Sequence, residues 1–451
     1  MFLSQHSVLM HLMKKVLIIT DLVHATPRIP RVAKYLPEFG WQPIILTTPS
    51  YIGHNLGINV EKLIKQNRVI VVPYRNYLNH FLDITKKIFG FNSQKSIRRQ
   101  ADKQFGIGSP KTSMIRFLLR IVKEISYYPD QFRDWRKSAI NVCNNLMLRE
   151  NIDALISSSS PVTSHIIAKE FKQQHKIPWV ADLRDLWSQN HNYPYSSLRN
   201  VIDRNLELRT LSQADTLVTV SEPWTKKLTL LHKDKKVYTI TNGFYPEESV
   251  NSPPNLTSKF TITYTGQIYE ERQDPSKLFA ALRDLIKENL INPLEIDVRF
   301  YGNEVEWLTK ETEKYGLTKI VKQYGRVPRK VAIERQRESQ LLLLLNWADT
   351  SEKGVCPLKV FEYLAAQRPI IATGGFGHDV IARLLDETNA GFYAQRDAIK
   401  EILKEAYSEY KLKGEVGYRA RIETINRYSY QEKAKMFAQI LDDSLKTRNY
   451  T

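Results

Sequence analysis

Two doubly wound α/β domains joined by a short polar linker are what the order of this sequence predicts. Three observations carry the prediction. Short β-branched apolar runs alternate with longer stretches of helical period, the pattern of parallel sheets with crossover helices. The alternation stops once, at PEESVNSPPNLTSK, and then restarts. A chain of 451 residues also exceeds one comfortable core, at roughly 150 residues per domain.

In the first half, strands are predicted at 16–20, 42–47, 69–72, 154–157, 179–182, 216–220 and 237–240, with helices between them such as 30–39 and 161–175. Ser221 follows a strand and precedes Glu222 and Pro223, which reads as an N-cap with proline in the first turn. Asn242-Gly243 marks a turn, and 246–259 is polar, proline-bearing and without apolar period, hence the linker. Beyond it, strands are predicted at 260–264, 295–301, 320–324, 341–345 and 370–373. Helices are predicted at 275–288, 305–315, 329–338, 357–367 and 378–385, and the charged tail 396–447 has a helical pattern.

Composition bounds the class. Hydrophobic residues make up 42% and charged residues 25%, ordinary for a globular protein. No apolar run approaches the ~18 residues needed to cross a bilayer. The opening MFLSQHSVLMHLM has neither a basic start nor a small-residue cleavage site, so it is a poor secretory signal. Residues 1–13 read as an extension ahead of the first strand. Cys143 and Cys356 form no metal spacing and no disulfide framework, which points to a reducing, cytoplasmic setting.

Net charge is +18, and much of it is local. Residues 61–140 hold 17 Lys and Arg against six Asp and Glu. Such a field suits nucleic acid, an anionic membrane or phosphorylated ligands. A nucleic-acid recognition module is missing from the pattern. MIRFLLRIVKEI, at 114–125, instead places Arg116, Arg120 and Lys123 opposite Leu118, Ile121, Val122 and Ile125. A basic amphipathic helix of this kind binds anionic membrane surfaces, the alternative being a core helix with a solvated face. The aromatics Phe81, Phe89, Phe91 and Trp135 fall in the same basic segment.

Doubly wound sheets bind ligands at the carboxyl ends of their strands. A dinucleotide site would show GxGxxG after the first strand, but that turn reads DLVHATPRIPR and holds no glycine. GVCPLKVFEYLAAQRPIIA (354–372) offers a loop, a helix N-terminus and a carboxylate one turn in, at Glu362. Helix N-termini receive phosphates, Lys359 stands in reach of one, and Glu362 suits the two hydroxyls of a ribose. YTGQIYEERQDPSKL (264–278) places Gly266 at a strand end, with Arg272 and then Lys277 as nearby cations. PWVADLRDLW (178–187) crowds Asp182, Arg184 and Asp185 just past a buried strand. Here the bland alternative is that Arg184 pairs with Asp182 or Asp185 to fix the loop. The serines of SSSSPVTSHIIA lack G-x-S-x-G flanks, which argues against a hydrolase.

In order and content, these motifs resemble the GT-B glycosyltransferases, in particular the family-four-like group that builds bacterial cell-surface polysaccharides. The resemblance runs from about residue 14 to 428. It implies two Rossmann-like domains facing across a cleft: an acceptor domain at 14–245 and a nucleotide-sugar donor domain at 260–427, with a C-terminal helix at 428–451 crossing back to the first domain. It implies donor contacts at Gly266, Arg272, Gly354, Leu358, Lys359 and Glu362, sugar or acceptor chemistry at Asp182, Arg184 and Asp185, and His24 and Ser160 on the acceptor side. It also implies retention of configuration, no cofactor beyond the nucleotide-diphosphate sugar, and no metal. The acceptor it implies is a lipid-linked or saccharide molecule, met in the cytoplasm or on the inner face of the cell membrane. One departure stands out. The group often carries a glutamate eight positions before that of Glu362, and this chain has Gly354 there, with Glu352 two residues out of register. Gln267 likewise replaces the arginine common after Gly266. A catalytically inactive scaffold of the same fold is the alternative that these departures leave open.

Overall fold

The computed structural model describes residues 13–25, 28–51, 67–75, 121, 124–248, 255–270, 272–347, 352–375, 378–394 and 398–448. Two compact units emerge, one of residues 1–219, 227–238 and 437–451, the other of residues 220–226 and 239–436.

The first unit is built on a seven-stranded sheet: β1 (Lys14–Ile19), β2 (Trp41–Thr47), β3 (Arg68–Val71), β4 (Ala154–Ser159), β5 (Trp179–Leu183), β6 (Thr216–Thr219) and β7 (Lys236–Thr239). Their order across the sheet is β3-β2-β1-β4-β5-β6-β7. The strands pair parallel, with Leu17 opposite Ile44 on one side and Leu155 on the other. Helices α1 (Arg28–Tyr35), α2 (Trp135–Arg149), α3 (Thr163–His175) and α4 (Ser197–Leu211) return the chain between strands. Ordered strands buried on both faces need apolar side chains throughout, and Val16 to Ile19 are wholly buried. Between β6 and β7 runs α5 (Glu222–Leu231), whose first turn groups with the second unit.

The second unit repeats the plan with six strands: β8 (Phe260–Thr265), β9 (Ile296–Tyr301), β10 (Val321–Gln323), β11 (Leu341–Leu345), β12 (Ile370–Thr373) and β13 (Gly391–Ala394), ordered β10-β9-β8-β11-β12-β13. Its helices include α6 (Ser276–Lys287), α7 (Glu306–Lys314), α8 (Arg329–Arg337), α9 (Lys359–Ala366), α10 (Val380–Thr388) and α11 (Ala398–Lys413). The five leucines of β11 are fully buried at the centre of the sheet. Helix α12 (Tyr430–Arg448) begins in this unit, and its part from Phe437 onward groups with the first.

Every strand expected from the sequence is present within a residue or two. β13 was not expected. Of the linker 246–259, Pro246–Glu248 forms a 3-10 turn and 249–254 lie outside the described residues. Among the described residues no helix is long and apolar enough to cross a membrane.

In both sheets the strand order reverses beside the first strand, between β1 and β4 and between β8 and β11. These switch points are where doubly wound sheets open a crevice for ligands.

Candidate active site

In the second unit the switch point is framed by Gly266, directly after β8. Its φ of +107° is one that glycine adopts freely. A Cβ there would only touch Lys359 Nζ, at 3.4 Å, so the backbone angle rather than crowding calls for glycine, and the lysine end lies directly beside it. Leu358 sits at the N-cap of α9, and Lys359 opens the helix. The ammonium lies 3.9 Å from the centroid of the Tyr264 ring and donates to Tyr264 Oη and, at 3.5 Å, to the Gln267 carbonyl. Burial pulls the Lys359 pKa down to about 7, with the charge of Glu362 opposing the fall. A cation at a helix N-terminus works against the macrodipole. Bringing an anion to it would relieve both penalties.

Glu362 follows in the first turn of α9. Its Oε1 accepts from Arg329 Nη1 at 2.6 Å, and Arg329 Nη2 reaches both oxygens of Glu248 at 2.9 Å. Oε2 of Glu362 accepts no hydrogen bond among the described residues, which leaves lone pairs for hydroxyl donors. On the β11 side, Arg272 is exposed with its guanidinium 5.0 Å from the Trp347 ring, and Tyr269 stacks on the same indole at 5.8 Å. Gly266, Leu358, Lys359 and Glu362 therefore gather around one strand end and one helix N-terminus, while Arg272 packs on Trp347 beyond the end of the neighbouring β11.

Gly354 is explained by packing. A Cβ at this position would fall inside the Trp224 indole. Glu352, buried, accepts from Trp224 Nε1 at 2.9 Å and from the Gly354 N–H at 2.9 Å. The out-of-register glutamate thus ties down the loop and its tryptophan.

In the first unit, residues 182–185 divide. Asp182 is wholly buried, bound by Arg28 Nη2 at 2.9 Å and by Ser158 Oγ at 2.8 Å. Arg28, which the sequence did not single out, takes the place of the Arg184 partner considered for it. In this arrangement Asp182 shows no surface to a substrate. Arg184 instead bonds its neighbour Asp185 at 3.1 Å and donates to the His24 carbonyl. His24 Nδ1 lies 2.7 Å from Asp21 Oδ1, and Asp21 also accepts from the hydroxyls of Thr48 and Ser50. Burial would raise the Asp21 pKa, but the hydrogen bonds of His24, Ser50 and Thr48 and the His24 charge outweigh it and lower the pKa. The imidazole packs edge-on to Phe132 at 5.4 Å and remains part-exposed. His24, Arg184 and Asp185 are thus brought together at the carboxyl edge of β1 and β5, with Asp21 behind them. Ser160 follows β4 directly and is half-buried.

Sequence reasoning missed Asp21, Arg329, Glu248 and Trp224. Only Asp21 carried a local signal, an aspartate three residues before a histidine at a strand end. Among the described residues no three His, Cys, Asp or Glu side chains assemble a metal site. Both cysteines are free and buried, and burial pushes each thiol up to about 12.

Residues 97–248 match the family model described as Glycosyltransferase Family 4. None of the curated proteins matches the chain by sequence. Solved structures match over nearly its whole length. A glycosyltransferase from Rickettsia africae aligns at 16% identity and a TM-score of 0.60, covering 96% of this chain and 99% of that one. HepE from Anabaena, in complex with UDP, aligns at 12% identity and 0.57, covering 95% and 100%. Sucrose-phosphate synthase from Thermosynechococcus elongatus aligns at 12% and 0.57, covering 96% and 100%. The chain has the GT-B fold, and its family-model match is to a glycosyltransferase.

Proposed function

We propose that the chain moves a sugar from a nucleotide-diphosphate donor, held by the second unit, to a hydroxyl of a lipid-linked or saccharide acceptor in cell-surface polysaccharide synthesis. The observation that carries this reading is the pairing of Lys359 with Glu362 in the first turn of α9, beside Gly266 at a sheet switch point. One meets a diphosphate, the other a ribose. UDP in the related HepE structure supports a nucleotide donor here. The acceptor oxygen bonds the anomeric carbon as the bond to the diphosphate oxygen breaks, and the acceptor proton departs with the diphosphate. That proton route fits the retention implied by the family resemblance. Lys359, Arg272 and the α9 N-terminus would stabilise the leaving charge without a metal. His24, Arg184 and Asp185 offer polar contacts for acceptor hydroxyls.

The acceptor side of the proposal extends to the membrane. Of the basic segment 61–140, residues 61–66, 76–120 and 122–123 lie outside the described ones, and with them Phe81, Phe89, Phe91 and most of the amphipathic stretch 114–125. Its end is described, and there Ile121 and Ile125 line an open, mostly apolar cavity of about 710 Å³ with Leu198 and Ile202 of α4. Ile125 and Leu198 are 69% and 74% exposed. Apolar side chains left in water beside a strongly basic segment suit an anionic bilayer.

A thermal-shift panel of UDP, GDP, ADP, TDP and CMP on wild type and Glu362→Ala tests the donor site. A ligand at 100 times its Kd stabilises by about 2.7 kcal/mol, a shift of a few degrees. One nucleoside diphosphate should stabilise wild type and not the variant. If none does, the donor reading fails. If one binds but no sugar donor is turned over, the inactive scaffold stands instead.

A further inference from the structure

We propose that Arg329 is the positioning residue for the donor ribose, holding the Glu362 carboxylate aimed, and that Glu248 in turn holds Arg329. The inference deepens the donor-site reading and rests on it.

Arg329 is the first residue of α8, directly after Pro328. An arginine there faces the positive end of the helix dipole, a placement that costs helix stability. Its geometry shows what offsets the cost. One arm of the guanidinium is bound to Glu362 at 2.6 Å, and the other makes a two-point contact with Glu248. A third bond, from Nε to Glu248 Oε1, measures 3.3 Å. Burial disfavours the Arg329 charge, but Glu362 and Glu248 outweigh it and raise its pKa above the ordinary value. The guanidinium is therefore a fixed cation, clamped in plane by a residue from the segment before β8.

Fixing matters because a glutamate side chain has three rotatable bonds. A carboxylate that must meet two adjacent hydroxyls gains affinity if its rotamer is set before the ligand arrives. Arg329 occupies Oε1, and among the described residues none donates to Oε2. Two carboxylates sharing one guanidinium leave a net negative charge on the trio, well suited to hydroxyl donors and badly suited to phosphate. The trio thus separates the ribose end of the site from the diphosphate end at Lys359. Lysine in place of Arg329 would keep the charge and lose the planar two-armed grip.

The test is calorimetric titration of UDP, GDP and ADP and of their 2′-deoxy counterparts. The proteins are wild type, Arg329→Met, Arg329→Lys, Glu248→Gln and Glu362→Gln. Wild type should prefer the ribonucleotide by about tenfold, the usual weight of a hydrogen bond to a charged group. Arg329→Met should lose that preference by weakening the ribonucleotide alone, leaving the deoxynucleotide within about twofold of wild type. Arg329→Lys should recover part of it. Glu248→Gln keeps the Arg329–Glu362 bond and should fall between, which preserves the test if Arg329→Met does not fold. A preference that survives in Arg329→Met, or equal loss of both nucleotides, overturns the inference while the donor site stands. A wild type that binds both forms alike, or none of the six, overturns the ribose role of Glu362 and this inference with it.

Discussion

Arg28 and Asp182 meet inside the first unit through a 2.9 Å bond, with neither side chain exposed. The pair joins α1 to β5 over 154 residues of chain, and Arg28 Nε lies 3.2 Å from both carboxylate oxygens. A buried pair of this kind is costly to break, because removal of one partner strands the other charge. Asp182→Ala should therefore lower stability by about 3–5 kcal/mol. Asp182→Asn, which can still accept from Arg28 and Ser158, should cost less. Calorimetric melting of the two variants checks this. A variant that melts like wild type but has lost turnover would return Asp182 to the chemistry.

The same pair marks where sequence reading stops. Strand positions were legible because each buried parallel strand must be apolar, as 341–345 shows with five leucines. β13 was not, since only Ala394 of its four residues is buried and Phe392 is exposed, so GFYA carries no run to notice. The places of Gly266 at a strand end and of Lys359 and Glu362 in a first helical turn were legible because they lie on local motifs whose order survives in sequence. Arg28–Asp182, Arg329–Glu362 and Trp224–Gly354 are long-range contacts, and nothing in either local stretch announces its partner. Asp182 is the clearest case: a carboxylate dense with charged neighbours in sequence takes its partners, Arg28 and Ser158, from distant segments in the core.

Gly354 gives the second prediction. The family resemblance places a glutamate here, yet Trp224 fills the space a side chain would need. Gly354→Glu should therefore lower both stability and turnover rather than improve either. Gly354→Ala should already cost about 1–3 kcal/mol through overpacking. In a double-mutant cycle with Trp224→Ala the two costs should not add, since the smaller residue makes the room. Strict additivity in melting data would mean that the indole and the glycine do not share the space.

Membrane docking gives the third. Ile125 and Leu198 together bury apolar area only if a partner covers them, each worth roughly 1.5–3 kcal/mol when fully buried. Ile125→Glu/Leu198→Glu should weaken co-sedimentation with anionic vesicles by at least about tenfold, and leave nucleotide binding by the second unit intact. Wild type should sediment less with neutral vesicles. Equal sedimentation with both lipids, or no effect of the double variant, rules this surface out.

The titration of Lys359 yields the fourth, and its sign follows from the lowered pKa. With a pKa of about 7 in the free protein, the ammonium form fades as pH rises past neutrality. A diphosphate bound at this cation would raise that pKa, so binding would take up a proton above pH 7. Affinity for the nucleoside diphosphate should then fall as pH rises from 7 to 8.5, by up to about tenfold per unit. The binding heat at pH 8 should vary with the ionisation enthalpy of the buffer. Lys359→Met should bind weakly with a flat profile. Stability runs the opposite way. Between about 7 and the ordinary lysine value of 10.5 the unfolded chain holds a proton that the folded one lacks, so folding stability rises with pH across that window. Lys359→Met should consequently melt higher than wild type at pH 7 while binding nucleotide worse. Opposite movements of stability and affinity identify a lysine kept for a ligand. If both fall together, Lys359 is a structural residue packed on Tyr264 and the diphosphate contact lies elsewhere.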